Sequence, residues 1–264
     1  MNASPLEFVI DALAQARSGH GLADATPLAD SLATLEEAYA VQQAVAARCW
    51  PFGLVAVQYW KTGAPSRQAA QTHARLPEAG IWRSPAHSGQ AFAMRGIEAE
   101  IALRLAVPVD AQRAAALDRD GACRLVESMA VAIEVVDSRW REGLEAPALL
   151  KLADLQSHGA LVLGPWVPFD AGHDWSAQRC RVQVGEAPAE EFVGTHSMQD
   201  PAWALAAWLR HATQDGQVLP AGSVVTTGTW CGLLQAQPGD TVRVAFDGVG
   251  TAEVAFDAAA PTTA

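Results

Sequence analysis

The sequence is poor in basic residues and in cysteine, and it contains no long apolar run. It has 18 Lys and Arg residues against 29 Asp and Glu residues, which gives a formal net charge of −11 at pH 7. Because nucleic acids and anionic membrane surfaces carry the same sign of charge, this balance argues against both as partners. The four cysteines lie far apart and form no Cys-x-x-Cys pair, so we expect a reduced, cytoplasmic protein. No basic segment leads into an apolar one at the N-terminus and no apolar run reaches about 18 residues, so we expect neither secretion nor a membrane span.

The order of local signals predicts an α+β protein. Helix-start signals lie near the N-terminus, where Ser4-Pro5-Leu6-Glu7 and Thr34-Leu35-Glu36-Glu37 each form a capping box. Strand patterns dominate the rest of the chain, and the last three of them, 223–227, 240–246 and 251–256, predict a C-terminal β-meander. With 264 residues, half of them apolar, the chain can bury a sizeable core. We therefore expect one large domain with a substantial mixed sheet.

In the segment Gly96–Leu103, apolar residues alternate with the acidic residues Glu98 and Glu100, which is the period of a half-buried strand. On a strand, Glu98 and Glu100 point to the same face at a spacing of roughly 7 Å. Glu134 lies in a similar apolar run, 130–137, where an unpartnered carboxylate would cost several kcal/mol or become protonated. We interpret the three glutamates as ligands that converge on one cation.

Two other interpretations remain open for these acids. Glu98 and Glu100 could line a solvated strand edge, and Glu134 could be a buried salt-bridge partner of Arg139 or Arg104. If the cation site exists, three carboxylates without a paired His or Cys favour Mg²⁺ or Mn²⁺ over structural Zn²⁺.

With these acids in place, the chain resembles the 2-keto-4-pentenoate hydratase branch of the fumarylacetoacetate hydrolase superfamily. The resemblance covers roughly residues 35–257 in collinear order. The motifs that support it are Ile97-Glu98-Ala99-Glu100-Ile101-Ala102, Ile133-Glu134-Val135-Val136-Asp137-Ser138-Arg139, Ala153-Asp154 with Ser157-His158-Gly159, and Gly222-Ser223-Val224-Val225-Thr226-Thr227-Gly228.

The resemblance implies a fold, a metal and an assembly. It implies a single catalytic domain over 1–264, with a helical N-terminal segment at 1–50, a mixed β-roll that contains the site at 51–257, and a tail at 258–264. The positions that match Glu98, Glu100 and Glu134 bind Mg²⁺ or Mn²⁺ in that family. It also implies a homo-oligomer.

The substrate pocket departs from the family pattern. Relatives usually have Asp-Asn-Ala-Ser where this chain has Asp154-Leu155-Gln156-Ser157. Around the lysine they tend to have Gly-Arg-Lys-x-Gly-Leu-Thr, whereas this chain has Tyr59-Trp60-Lys61-Thr62-Gly63-Ala64-Pro65, and Thr229-Trp230-Cys231 is bulkier than expected. The metal residues match and the pocket does not, so the particular substrate stays open.

The resemblance assigns catalytic roles to two residues. It implies that Lys61 donates and accepts a proton at the substrate carbon skeleton, with a pKa lowered by the metal and by burial. From the pattern alone, Lys61 could equally extend to water. Glu78 falls where relatives place an Asp, so it could orient Lys61 or exchange a proton with it, although an exposed loop acid explains it equally well.

Three further residues are candidates for binding the substrate. We interpret Ser157 as a donor to the substrate carboxylate and Asp154 as a group that positions water; either could be only a turn residue. Thr227 could donate to the same carboxylate, because Gly228 allows the backbone to approach closely.

These residues predict a hydratase in aromatic-compound catabolism. It would add water to a 2-hydroxydienoate of the 2-keto-4-pentenoate type and give a 4-hydroxy-2-oxo acid. The expected partner is a small 2-oxo acid, with no nucleic acid and no membrane. One alternative is a decarboxylase of a 4-oxalocrotonate-like acid. Another is an acylpyruvate or fumarylacetoacetate-type hydrolase, in which His73 and Glu78 would have to activate water. A third is a non-catalytic protein that kept the fold.

Overall fold

The computed structural model describes residues 4–50 and 57–258. The chain forms two compact units. Within the described residues, the first unit contains 4–50 and 136–159, and the second contains 57–135 and 160–258. Residues 136–159, which we predicted as part of the β-roll, instead pack with the N-terminal helices. That the whole chain acts as one catalytic domain stays a prediction, and the tail predicted from residue 258 lies almost wholly outside the described residues.

Both predicted capping boxes start helices in the first unit. The Ser4 side chain accepts the Glu7 N–H, and Thr34 and Glu37 bond each other's backbone N–H groups. The buried residues Val9, Leu13 and Val41 pack in one core with Trp140 and Leu150. The α-helices that the structure describes are α1 Pro5–Arg17, α2 Leu35–Cys49, α3 Ala111–Ala115, α4 Arg119–Cys123, α5 Ala148–Ala153 and α6 Leu205–Ala212.

The strands form a nine-stranded mixed sheet and a five-stranded mixed sheet. The larger sheet has the order β2-β1-β11-β5-β6-β7-β3, with β12 paired to β5 and β8 paired to β6; the smaller has the order β10-β9-β13-β14-β4. The strands are β1 Tyr59–Gly63, β2 Thr72–Leu76, β3 Ile81–Arg83, β4 Ala86–Ser88, β5 Gly96–Leu105, β6 Val126–Val136, β7 His158–Leu163, β8 Val167–Pro168, β9 Arg179–Val184, β10 Glu190–Val193, β11 Val224–Thr229, β12 Leu234–Gln235, β13 Thr241–Phe246 and β14 Gly250–Phe256.

This topology confirms the α+β class and corrects one detail. The three C-terminal strands exist, but they do not form a meander: β11 pairs with β1 and β5, whereas β13 and β14 belong to the smaller sheet. Strand pattern identifies strands but does not fix their partners, because partner choice depends on contacts that are distant in sequence. The consequence for the site is that β11 lies between β1 and β5, beside the strand with Glu98 and Glu100.

Candidate metal centre

Three glutamates of the second unit converge on one small volume. Glu98 and Glu100 point from β5, and Glu134 points from the neighbouring strand β6. Each offers one carboxylate oxygen, and these oxygens all lie within 4.8 Å of one another. Glu100 is 2% exposed, which does not fit a solvated strand edge, and Glu134 is 0% exposed, whereas Glu98 is half-buried. The alternation of β5 therefore brings the two acids to one face, as its period predicts.

The electrostatics of this cluster are unfavourable without a cation. Burial, followed by repulsion from Glu134, raises the pKa of Glu98 to about 8 and that of Glu100 to about 7. Three closely spaced carboxylates with hard oxygen donors are the ligand type that Mg²⁺ and Mn²⁺ prefer. The residues present therefore fit a divalent cation.

Lys61 is the cation that the structure does place in the cluster. It lies within β1, which pairs with β11, and its Nζ is 2.6 Å from Glu134 Oε1. The side chain is buried, so it does not extend to water. Burial lowers the pKa of Lys61, but Glu134, Glu98 and Glu100 together raise it more, and the net direction is upward. In the metal-free protein three carboxylates therefore outweigh desolvation, and the pKa lowered by a bound metal and by burial stays a prediction.

Two donors hold Glu100, and sequence reasoning missed both. The Thr226 hydroxyl and the Gly228 N–H both donate to Glu100 Oε2, the latter at 2.9 Å. The pairing of β11 with β5 shifts register between Thr226 and Thr229, and Gly228 adopts φ +112°. This bulge turns the Gly228 N–H toward the carboxylate. The signal that could have identified Thr226 is its register opposite Ala102, on the face of Glu100, but register becomes known only with the fold.

Thr227 and Glu78 lie in less direct positions. The Thr227 hydroxyl donates to the Ile101 carbonyl at 2.7 Å, so an intramolecular acceptor already uses it. Glu78 is exposed in a single 3₁₀ turn, Glu78–Gly80, and its charge helps to raise the pKa of Tyr59 after burial, the larger cause. Glu78 follows the end of β2 and lies four residues after Ala74, which is the cross-strand partner of Lys61. The roles proposed for both residues stay predictions.

Asp154 is a buried, ion-paired carboxylate of the first unit. Arg139 contacts it at 2.8 Å through Nε and at 3.0 Å through Nη2, and Arg17 Nη2 contacts it at 2.7 Å. Arg139 is thus paired with Asp154, and Arg104 is paired with Glu127 at 2.7 Å. Neither arginine is the partner of Glu134 that we had considered. The water-positioning role of Asp154 stays a prediction.

Ser157 ends an unusual turn in the same unit. Leu155, Gln156 and Ser157 all have positive φ, at 54°, 55° and 59°, a conformation that costs roughly 1–2 kcal/mol for each non-glycine residue. The turn is closed by the Ser157 N–H on the Asp154 carbonyl at 3.0 Å and by the Asp137 N–H on the Ser157 carbonyl at 2.7 Å. The Ser157 hydroxyl is buried, and within the described residues it has no hydrogen-bond partner. Its role in substrate binding stays a prediction.

A family model for fumarylacetoacetate (FAA) hydrolase, C-terminal, matches residues 64–256. The chain belongs to the fumarylacetoacetate hydrolase family. The match spans β2–β14 and includes all three clustered glutamates, and it confirms the family and the fold class that the motifs predicted.

Named relatives come from one branch of enzymes. A 4-oxalocrotonate decarboxylase from Pseudomonas sp is 30% identical over 132 residues, which is 48% of each chain. A 2-hydroxyhexa-2,4-dienoate hydratase from Comamonas testosteroni is 28% identical over 142 residues, which is 52% of each chain. The aligned region thus spans about half the length of these relatives.

A solved structure shares the fold over nearly the whole chain. It is a 4-oxalocrotonate decarboxylase from Pseudomonas putida G7, complexed with magnesium and adipate, with a TM-score of 0.80, 17% identity, and coverage of 95% of this chain and 97% of that one. In residues 4–50 and 57–258, no helix has the length and apolar character needed to cross a bilayer.

Proposed function

We propose that the protein is a divalent-metal-dependent hydratase. Its substrate would be a short 2-hydroxydienoic acid, and its product a 4-hydroxy-2-oxo acid. The single observation that supports this proposal is the buried cluster of Glu98, Glu100 and Glu134 with Lys61 Nζ at 2.6 Å from Glu134. The hydratase from Comamonas testosteroni supports the reaction class.

Charge balance supports a divalent ion at the three glutamates. Three carboxylates and one ammonium leave a formal charge of −2, which a divalent cation neutralises. Mg²⁺ or Mn²⁺ is the ion we propose, and the magnesium complex of the decarboxylase from Pseudomonas putida G7 supports this choice. When bound, the ion supplies Lewis-acid stabilisation of negative charge on the C2 oxygen of a 2-oxo acid.

Lys61 is the proposed proton donor. Its raised pKa keeps the ammonium form dominant near neutral pH in the metal-free protein, and Glu134 Oε1 orients Nζ. An ammonium group at this position can deliver a proton to the substrate carbon skeleton when the dienol becomes the ketone. Burial of Lys61 and Glu134 limits access of bulk water, which protects a reactive enol from unproductive protonation.

A second candidate reaction is decarboxylation of a 4-oxalocrotonate-like acid. The 30% identity to the decarboxylase from Pseudomonas sp favours it as the alternative, and the same residues would stabilise the same enol. A hydrolase has less support, because His73 Nδ1 lies 2.8 Å from Thr62 Oγ1, burial lowers its pKa to about 3, and Glu78 is exposed. His73 and Glu78 are therefore not arranged as a pair that could activate water.

The test is a product analysis with defined substrates. The protein would be incubated with 2-hydroxypenta-2,4-dienoate and, separately, with 4-oxalocrotonate, with Mg²⁺, with Mn²⁺ and with a chelator. With a hydratase, the ultraviolet absorbance of the dienoate falls and the product is heavier than the substrate by one water molecule. A decarboxylase instead releases CO₂ from 4-oxalocrotonate. If neither acid is turned over in a metal-dependent way, the proposal is refuted.

Location and assembly are further proposals. The four cysteines are free thiols, which supports a reducing compartment such as the cytoplasm. The expected homo-oligomer can be tested by light scattering at several protein concentrations.

A further inference from the structure

The bulge that holds Glu100 depends on a second element of the same unit. Thr226 and Gly228 can both reach Glu100 Oε2 only because the chain leaves regular register between Thr226 and Thr229. A bulge weakens the local ladder, so other contacts must fix the direction of the Gly228 N–H. Side chains that contact the bulge itself can supply this constraint.

His196 contacts the bulge at its central carbonyl. The imidazole is 2% exposed, and its Nε2 lies 2.9 Å from the Thr227 carbonyl oxygen. The ring also lies against Gly228, where an added Cβ would be 3.4 Å from Nε2. The Thr227 carbonyl and the Gly228 N–H belong to one planar peptide group, so His196 contacts the same peptide whose N–H holds Glu100.

The hydrogen bonds of His196 assign its proton. A carbonyl oxygen only accepts, so Nε2 must donate to Thr227. On the other side of the ring, the Met198 N–H donates to Nδ1 at 3.3 Å, so Nδ1 must be unprotonated. Both nitrogens are therefore used by backbone groups in one neutral tautomer, and neither is available to exchange a proton with a substrate.

A short segment, 195–200, holds His196 in place, and we call it the strap. The Thr195 hydroxyl donates to the Trp230 carbonyl at 2.5 Å, and the Ser197 hydroxyl donates to the Ala64 carbonyl at 2.8 Å. Arg67 Nε donates to the Met198 carbonyl at 2.6 Å. These contacts tie the strap to the loop after β1 and to the residues after β11, on either side of the bulge.

We infer that His196 is a positioning residue of the metal centre. Its Nε2–H fixes the Thr227 carbonyl, which directs the Gly228 N–H onto Glu100 Oε2 and so holds that carboxylate in place. Groups that orient a metal ligand commonly change metal affinity by about 10–100-fold when they are removed. This inference rests on the proposed function insofar as the three glutamates bind a divalent ion.

The test compares two replacements of similar size that differ in one donor. His196→Gln keeps an amide N–H near the position of Nε2, whereas His196→Met has a similar length and no donor. Mn²⁺ affinity of the full chain would be measured by calorimetry or electron paramagnetic resonance, and backbone hydrogen exchange would be followed across 226–229 without metal. Thr213→Val is the control for loss of a hydrogen bond outside the strap, because the buried Thr213 hydroxyl donates to the Leu209 carbonyl at 2.8 Å.

We expect His196→Met to raise the Kd for Mn²⁺ about 10-fold or more and to speed exchange across 226–229. His196→Gln should stay within about threefold of the wild type in both measurements, as should Thr213→Val. A purely structural role predicts equal changes for Met and Gln, and that result would overturn the inference, as would a Met variant with wild-type affinity. If the wild type itself binds no Mn²⁺ or Mg²⁺, the proposed function fails, and the exchange measurement alone decides whether His196 fixes the bulge.

Discussion

The two units each contain a carboxylate cluster; the cluster in the first unit is neutral overall, and the one in the second has an excess of negative charge. In the first unit, Asp154 is held by Arg17 and Arg139, and Arg139 also approaches Asp137 at 3.8 Å. Two cations therefore accompany two acids. In the second unit, three glutamates share a single cation, Lys61. Both clusters are desolvated, so the difference between them lies in compensation rather than in burial.

This difference separates an anchor from a candidate binding site. A buried carboxylate with bidentate arginine contacts has its charge and its lone pairs satisfied by the protein. Asp154 also lies at the start of the left-handed turn 155–157 and accepts the Arg139 N–H at 2.9 Å, so its pairing fixes the backbone there. The three glutamates lack such compensation, and the missing positive charge matches the charge of a divalent ion.

The largest effect should come from the one cation of the under-compensated cluster. Replacing Lys61 by Ala should lower kcat by about 10²–10⁴, the usual contribution of one acid–base group. The Kd for oxalate, an enolate mimic, should change much less, because the metal would hold the chelating oxygens. Lys61→Arg should not restore kcat, since a guanidinium does not release its proton near neutral pH.

The chain offers a matched control, because Lys151 is its only other lysine. Its Nζ donates to the Leu144 carbonyl at 2.6 Å, within the first unit. Lys151→Ala should keep wild-type kcat. If Lys61→Arg has near-normal kcat, Lys61 serves only as a positive charge, and its role as proton donor is contradicted.

The next effect concerns the compensated cluster. Asp154→Asn keeps the size of the side chain but removes the carboxylate that pairs with both buried arginines, and leaves Arg139 only the longer contact to Asp137. We expect the free energy of unfolding to fall by about 3–5 kcal/mol, the usual cost of breaking a buried pair on one side. Urea unfolding at neutral pH measures it, and Asp170→Asn, at an exposed loop acid, is the control. A loss below about 1 kcal/mol would contradict the anchoring role.

Removing a carboxylate from the three-glutamate cluster should instead raise the stability of the metal-free protein. Because the pKa of Glu98 is raised from 4.5 to about 8, the native state binds more protons than the unfolded state between these values. Stability of the metal-free protein should therefore fall as pH rises through this window. Glu98→Gln removes the ionisation and should raise the Tm of the metal-free protein at pH 9 by about 2–4 °C, or about 1 kcal/mol.

Added Mg²⁺ or Mn²⁺ should reverse the order of these two proteins. Ligand binding to the native state stabilises the wild type, whereas Glu98→Gln has lost a ligand and should gain little. Thermal unfolding at pH 6 and pH 9, with and without metal, gives all the values required. A metal-free Gln variant that is less stable than the wild type at pH 9 would show that the glutamates are compensated after all.

The sequence allowed prediction of the residues of one cluster but not of the other. The strict alternation around Glu98 and Glu100 fixes their common face, and the apolar context of Glu134 indicates burial, so the metal residues could be proposed before the fold was known. Asp154 was recognised only through a family motif. Nothing local shows that Arg17, which lies 137 residues away, would pair with it.

Geometry that depends on register or on backbone strain was beyond sequence reasoning. Whether Thr226 or Thr227 faces Glu100 is decided by the register of β11 against β5, and the two alternatives are adjacent residues of the same type. Positive φ at Leu155, Gln156 and Ser157 has no local signal, because glycine or asparagine normally occupies such positions. The net direction of the Lys61 pKa required the distances to three carboxylates rather than burial alone.

The smallest expected effect extends the comparison from charge to backbone strain. The first unit holds three consecutive left-handed residues, whereas in the strap of the second unit Gln199 stands alone at φ 59° with an exposed side chain. Because a lone exposed residue loses little by truncation, Gln199→Gly should relieve the strain and stabilise the protein by about 1 kcal/mol. Gln199→Ala removes the same side chain but keeps a Cβ, so it should not stabilise, and the difference between Gly and Ala measures the backbone cost alone. Urea unfolding of both variants would give this difference. If Gly is no more stable than Ala, the left-handed conformation at Gln199 costs nothing, and the strain assigned to 155–157 on the same grounds loses its support.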